Sequence, residues 1–198
     1  MVDFAVVPEK MALINVDMQG EFVDMTLGGS IVLDKVNKLA SRCRESGILV
    51  VHTAHVVRAD GSNTGVMGEI APIVREGILN EGSDSVRLHK DLIVDESDIY
   101  LEKPKFGAFY GTDLETILRY RGIDTIIISG IATSICCETT AREAIVRDFR
   151  VFFLSDGTAT YDIGELTAEQ IQQATCTTLG FAFAQIIDVE TMMKKLQK

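Results

Sequence analysis

The chain predicts a single α/β domain spanning residues 1–198, with three αβα layers around a central, mostly parallel sheet of six strands. Two observations carry this. Short apolar runs of strand length alternate with stretches that have helical periodicity and capping residues, the pattern of βαβ crossovers. The runs are apolar at nearly every position rather than at every second one, as strands covered on both faces require. No internal repeat, low-complexity tract or linker divides the chain.

Taken in order, Met11–Val16 is the first buried strand and ends at Asp17. Met18–Gly29 reads as a loop, after which Ser30 is placed to cap a helix whose Val32, Val36, Leu39 and Cys43 share one face. Gly47 ends that helix, and Ile48–Thr53 is the second strand. His55–Val66 is a polar loop, and the stretch 67–95 reads as irregular chain with one short helix. Asp98–Leu101 is the third strand and runs into Glu102, Lys103 and Pro104. Thr112-x-x-Glu115 has the form of a capping box ahead of Leu114, Ile117 and Leu118. Asp124–Ser129 is the fourth strand, and a helix over Cys136–Phe149 follows it. Val151–Leu154 is the fifth strand, ending at Ser155 and Asp156. Thr167-x-x-Gln170 is a second capping box, Ala184–Ile187 the sixth strand, and Asp188 the cap of a last helix.

Composition narrows the function. The formal net charge of −10 argues against nucleic acid, which is bound through basic stripes, and against anionic membrane surfaces. No stretch reaches the ~18 uninterrupted apolar residues of a membrane span. The N-terminal residues MVDFAVVPEK lack a basic n-region and a cleavage site, so a cytoplasmic location is expected. Four cysteines, two of them adjacent, do not form a disulfide framework in a chain of 198 residues.

The chemistry gathers on three residues. Cys136 sits where a strand turns into a helix, beside unpaired N–H groups and the positive end of the helix dipole, both of which favour a thiolate nucleophile. Asp17 and Lys103 also follow strand carboxyl ends, where open α/β sheets bind ligands. In that arrangement Cys136 attacks a carbonyl carbon, Asp17 takes the thiol proton and returns it to the leaving amine, and Lys103 supports the charge. The N–H of Cys136 and another from the preceding turn supply an oxyanion hole. Phe22, Phe106, Thr133 and Tyr161 are candidates for a substrate pocket. Gln19 is expected to bond loop backbone, and Cys43, Cys137 and Cys176 to pack as small hydrophobes.

Three stretches resemble the isochorismatase-like cysteine hydrolases, whose fold is Rossmann-like. Leu13–Phe22 (LINVDMQGEF) is similar to the strand-one motif ending in Asp-x-Gln. Glu102–Leu114 (EKPKFGAFYGTDL) is similar to the lysine motif, with Lys103 rather than Lys105 in the catalytic place. Ser129–Ala144 (SGIATSICCETTAREA) is similar to the nucleophile motif and selects Cys136 over Cys137. The resemblance implies an Asp17-Lys103-Cys136 triad, a cis peptide between Ile131 and Ala132, an oxyanion hole formed by the N–H groups of Ala132 and Cys136, and a homo-oligomer, dimer or tetramer.

Within that family the reading is a metal-independent hydrolase, without a cofactor, that cleaves the C–N bond of a small amide, ureido or carbamoyl compound. Nicotinamidases resemble one another in an Asp-x-His…His metal site after strand two. His52-Thr53-Ala54-His55 does not reproduce it, so nicotinamide ranks low. Isochorismatases proper lack the cysteine. Ureidoacrylate-like and N-carbamoyl substrates fit the motifs, with Arg58, Arg87 or Lys105 as holders of a substrate carboxylate. The alternative is a thiol-based redox or binding protein on the same fold, suggested by adjacent Cys136 and Cys137.

Overall fold

In the computed structural model, which describes residues 2–197, the six apolar runs become six strands of one sheet. They are β1 (Met11–Val16), β2 (Leu49–His55), β3 (Ile99–Lys103), β4 (Thr125–Ile131), β5 (Arg150–Ala159) and β6 (Gln185–Ile187). Their spatial order is β3-β2-β1-β4-β5-β6 and every pairing is parallel. The helices are α1 (Gly20–Met25), α2 (Gly29–Glu45), α3 (Met67–Ile70), α4 (Pro72–Arg75), α5 (Leu114–Tyr120), α6 (Glu138–Ile145), α7 (Ala168–Ala182) and α8 (Val189–Lys195).

Two apolar cores lie on opposite faces of the sheet, which explains the continuous hydrophobic runs. Ala12, Ile14 and Val16 of β1 pack with Leu118 of α5, Ala144 of α6 and Leu179 of α7. Met11 and Leu13 face the other way, against Leu39 and Cys43 of α2 and Met192 of α8. The chain order reverses between β1 and β4, and at such a switch point the loops leaving the carboxyl ends diverge and open a crevice. Asp17 leaves β1 and the Ala132–Cys136 turn leaves β4 at that point.

Several local expectations are corrected. Met18–Gly29 is not wholly loop, since it holds α1, whose Val23 packs against Val32 and Val36 of α2. Ser30 does not cap α2; the N-cap is Gly28, in the left-handed region at φ 75°, and Ser30 already lies inside the helix. Thr112 and Glu115 do not form a capping box. Thr112 Oγ1 accepts from the Leu114 N–H at 3.3 Å rather than from that of Glu115, the N-cap is Asp113, and the Glu115 carboxylate pairs with Arg147 at 3.1 Å instead of reaching back. The helix after β4 begins at Glu138, not Cys136; Thr133–Cys137 form a wide π-type turn ahead of it. β4 and β5 are both longer than expected. A register shift between Ile128 and Gly130 lets pairing resume as Gly130↔Thr158 and Ile131↔Ala159, carrying β5 past Ser155 and Asp156. The Thr167–Gln170 capping box and the Asp188 cap form as expected. Stretch 67–95 holds α3, α4 and a 3₁₀ turn at Asp84–Val86.

Candidate active site

Asp17 is the first residue beyond β1 and adopts φ 49°, a left-handed conformation that Asp tolerates better than most residues. Beside it Gly130 has φ 121°, and a Cβ there would lie 2.0 Å from the Val16 carbonyl oxygen, so only glycine allows this close passage of β4. The Asp17 side chain is fully buried. Its Oδ1 accepts from Thr53 Oγ1 at 2.8 Å and its Oδ2 pairs with Lys103 Nζ at 2.7 Å.

Lys103 is the last residue of β3 and is also fully buried. Its ammonium donates to the carbonyls of Lys105 at 2.9 Å and Phe106 at 2.8 Å and forms an ion pair with Asp17 Oδ2. Burial works to lower the Lys103 pKa, but the negative charge of Asp17 and of a Cys136 thiolate outweighs it and raises the value. The loop that supplies the two carbonyls is tied to α6, where Thr140 Oγ1 accepts from Ala108 N–H at 3.1 Å and Glu143 from Phe109 N–H at 3.0 Å.

Cys136 lies in the turn after β4, its Sγ within 4.8 Å of an Asp17 carboxylate oxygen, and it feels the charges of both Asp17 and Lys103. Burial raises its thiol pKa well above the ordinary value; the Lys103 charge opposes this and the Asp17 charge adds to it. The expectation of a preformed thiolate is therefore corrected. The residue stands in the π-type turn ahead of α6, and desolvation outweighs the neighbouring cation. The resting sulfur is a thiol whose proton faces a carboxylate. Cys137 is buried behind it, with Sγ 3.9 Å from the Ser129 carbonyl, and all four cysteines are free.

A cavity of about 420 Å³ opens above Cys136, lined among others by Phe22, Phe106 and Tyr161. Ala132 and Cys136, the expected oxyanion donors, are on its wall, and the Ile131–Ala132 peptide is cis. Thr133 is turned away from the cavity, with its hydroxyl donating to Gln172 at 2.5 Å.

The comparisons with known proteins come down on one family. A family model described as an Isochorismatase domain matches residues 11–191. The chain belongs to the isochorismatase family. Among solved structures it is similar to a cysteine hydrolase from Pseudomonas syringae pv. phaseolicola, with a TM-score of 0.92 and 30% identity, covering 99% of this chain and 96% of that one. An isochorismatase family protein from Burkholderia thailandensis superposes with a TM-score of 0.86 at 27% identity, covering 98% of both chains. Among curated proteins the chain is 31% identical to "Nicotinamidase 3" of Arabidopsis thaliana over 187 residues, 93% of this chain and 88% of the relative. It is 29% identical to the ureidoacrylate amidohydrolase RutB of Klebsiella pneumoniae, covering 96% of this chain and 88% of that one. Ranking nicotinamide below ureido and carbamoyl compounds is thereby corrected, since relatives of each kind match equally well.

The isochorismatase-family site contains one residue that the sequence did not single out. His55 lines the cavity, is buried, and meets Phe106 edge to face at 5.6 Å. Taking β2 to end at Thr53 hid it. The strand runs two residues further, and its register pairs His55 with Lys103 at the same rim. Gln19 fixes this strand end, its Oε1 accepting from the His55 N–H at 2.7 Å, the backbone role expected of it. Burial, and then the Lys103 charge, push the His55 pKa down to about 4. His52 belongs elsewhere. Its Nδ1 lies 3.3 Å from Asn15 Nδ2 and its Nε2 3.0 Å from Asp98, so the two histidines do not form a metal pair. Donor atoms of Asp17, His55 and Cys136 lie within 4.8 Å of one another, but a cation there would sit against the Lys103 ammonium, and Asp17 is already paired. That trio suits a metal ion poorly. Among the described residues no helix is long and apolar enough to cross a membrane.

Proposed function

We propose that the chain is a cysteine amidohydrolase that cleaves the C–N bond of a small amide, ureido or carbamoyl compound through an Asp17-Lys103-Cys136 triad. The observation that carries this reading is a thiol on the wall of a cavity, within 4.8 Å of the carboxylate of a buried carboxylate–ammonium pair. As Cys136 Sγ attacks the carbonyl carbon, its proton passes to Asp17. Lys103 offsets the negative charge that moves from the Asp17 carboxylate to sulfur as the proton leaves, and the N–H groups of Ala132 and Cys136 receive the oxyanion. Asp17 then protonates the leaving nitrogen and the C–N bond breaks, leaving a thioester on Cys136. Water, deprotonated by Asp17, attacks the thioester, and the acid and the free thiol are restored. A neutral resting thiol suits this order, because the base that must take its proton is beside it.

One relative is a nicotinamidase and another a ureidoacrylate amidohydrolase, which supports an amide but not one amide, so nicotinamide and ureidoacrylate enter the test on equal terms. The redox alternative loses support from burial. Sensor thiols are exposed and of low pKa, whereas burial raises both Cys136 and Cys137. The test is ammonia release from a panel of both substrate types, with mass spectrometry of the quenched enzyme. A turned-over amide should leave its acyl mass on Cys136, and Cys136→Ala should lower kcat by several orders of magnitude. Full activity in Cys136→Ala would remove the mechanism.

A further inference from the structure

We propose that this site takes uncharged amides with an apolar body rather than amides that carry a carboxylate. The proposal rests on the amidohydrolase reading above and narrows it.

The first support is the wall of the cavity. Among the described residues that line it there is no Lys, Arg, Asp or Glu; aromatic rings alternate with aliphatic groups such as Ile135, Leu79 and Ile163. A substrate carboxylate entering it would lose its water and meet no cation, which is costly. The cations that the sequence offered for that task are elsewhere. Lys105 Nζ is bound to the carbonyls of Asn63 at 3.0 Å and Thr64 at 2.5 Å. Arg87 is exposed and pairs with Asp84 at 3.2 Å. Arg58 borders a different groove, which it shares with Glu81 and Glu102. Lys103 donates to two backbone carbonyls, is paired with Asp17 and does not line the cavity.

The second support is the one basic ring on that wall. His55 is buried and meets Phe106 edge to face at 5.6 Å, and burial together with the Lys103 charge lowers its pKa to about 4. At neutral pH the ring is uncharged, so it offers a substrate carboxylate no cation either.

One measurement tests this, and it needs no known substrate. Iodoacetamide and iodoacetate alkylate Cys136 by the same step, in which an S–C bond forms, iodide leaves and the thiol proton passes to Asp17, but only the second reagent is anionic. Peptide mass spectrometry should show the neutral reagent favoured at Cys136 by ~100-fold over its preference on the unfolded chain, the scale of a charge buried without a partner. An unchanged preference would overturn the neutral-substrate claim even if amide turnover were established, and it can be read even if the triad mechanism fails.

Discussion

The Asp17–Lys103 pair shows what a single contact costs and secures. Both groups are wholly buried and 2.7 Å apart. Taking two charges out of water is expensive, and their attraction repays that only because Thr53 and two carbonyls satisfy the remaining valences. Removing one partner strands the other. Lys103→Met should destabilise the chain by about 3–5 kcal/mol in urea unfolding, and Asp17→Leu by a similar amount. The double variant, with no charge left uncompensated, should lose clearly less than the sum of the two. All three should lack hydrolytic activity. If the losses simply add, the pair is not the coupled unit described here. This separation of stability from catalysis also guards the mechanism, because the double variant is folded and inactive for a chemical reason.

At the scale of elements, a local signal was legible wherever it met no competitor. Thr167 accepts from the Gln170 N–H at 3.3 Å and the Gln170 side chain accepts from the Thr167 N–H at 3.0 Å, the capping box its spacing announces. Thr112-x-x-Glu115 has the same spacing and fails, because the helix starts one residue later, with Asp113 at its N-cap and Thr112 serving the Leu114 N–H, and Arg147 claims the Glu115 carboxylate. Sequence spacing reports what a side chain is able to do, and tertiary partners decide what it does. The strand ends were harder for a related reason. β5 is extended by its pairing with β4, a non-local event that no run of residues records. That Asp17, Lys103 and Cys136 meet at one rim was readable because each lies at or just beyond a strand end within a distinctive stretch. His55 was not, because its place depends on two further residues of parallel pairing to β3. The capping box has its own test. Thr167→Ala should cost about 1 kcal/mol in thermal or urea unfolding and leave kcat/KM unchanged, since α7 starts away from Cys136. A loss of activity without a loss of stability would place this helix start in the site.

Over the whole molecule, the sheet order converts distance in sequence into proximity at one crevice, and the price is a set of polar groups held without water. Two of them are histidines, and their titration should be visible in global stability. Burial lowers both pKa values, His52 despite its contact with Asp98 and His55 to about 4 from an ordinary 6.5. In the unfolded chain both take up a proton near pH 6.5, while the folded chain resists it. Between about pH 6.5 and about pH 4 the unfolded state therefore binds more protons, and stability must fall as pH falls. Above that window both states are neutral and the contribution is fully present. The shift of His55 alone corresponds to up to about 3 kcal/mol. Several carboxylates, Asp98 and Asp124 among them, are held below their ordinary 3.8, so their losses come at lower pH. Urea unfolding at closely spaced pH values should show stability declining already across the histidine window. His55→Phe, which keeps an aromatic ring and removes the titration, should flatten that decline and leave the carboxylate-driven loss at lower pH in place. An undiminished slope in that variant would mean that His55 protonates without penalty, and that its ring has a partner the fold does not reveal.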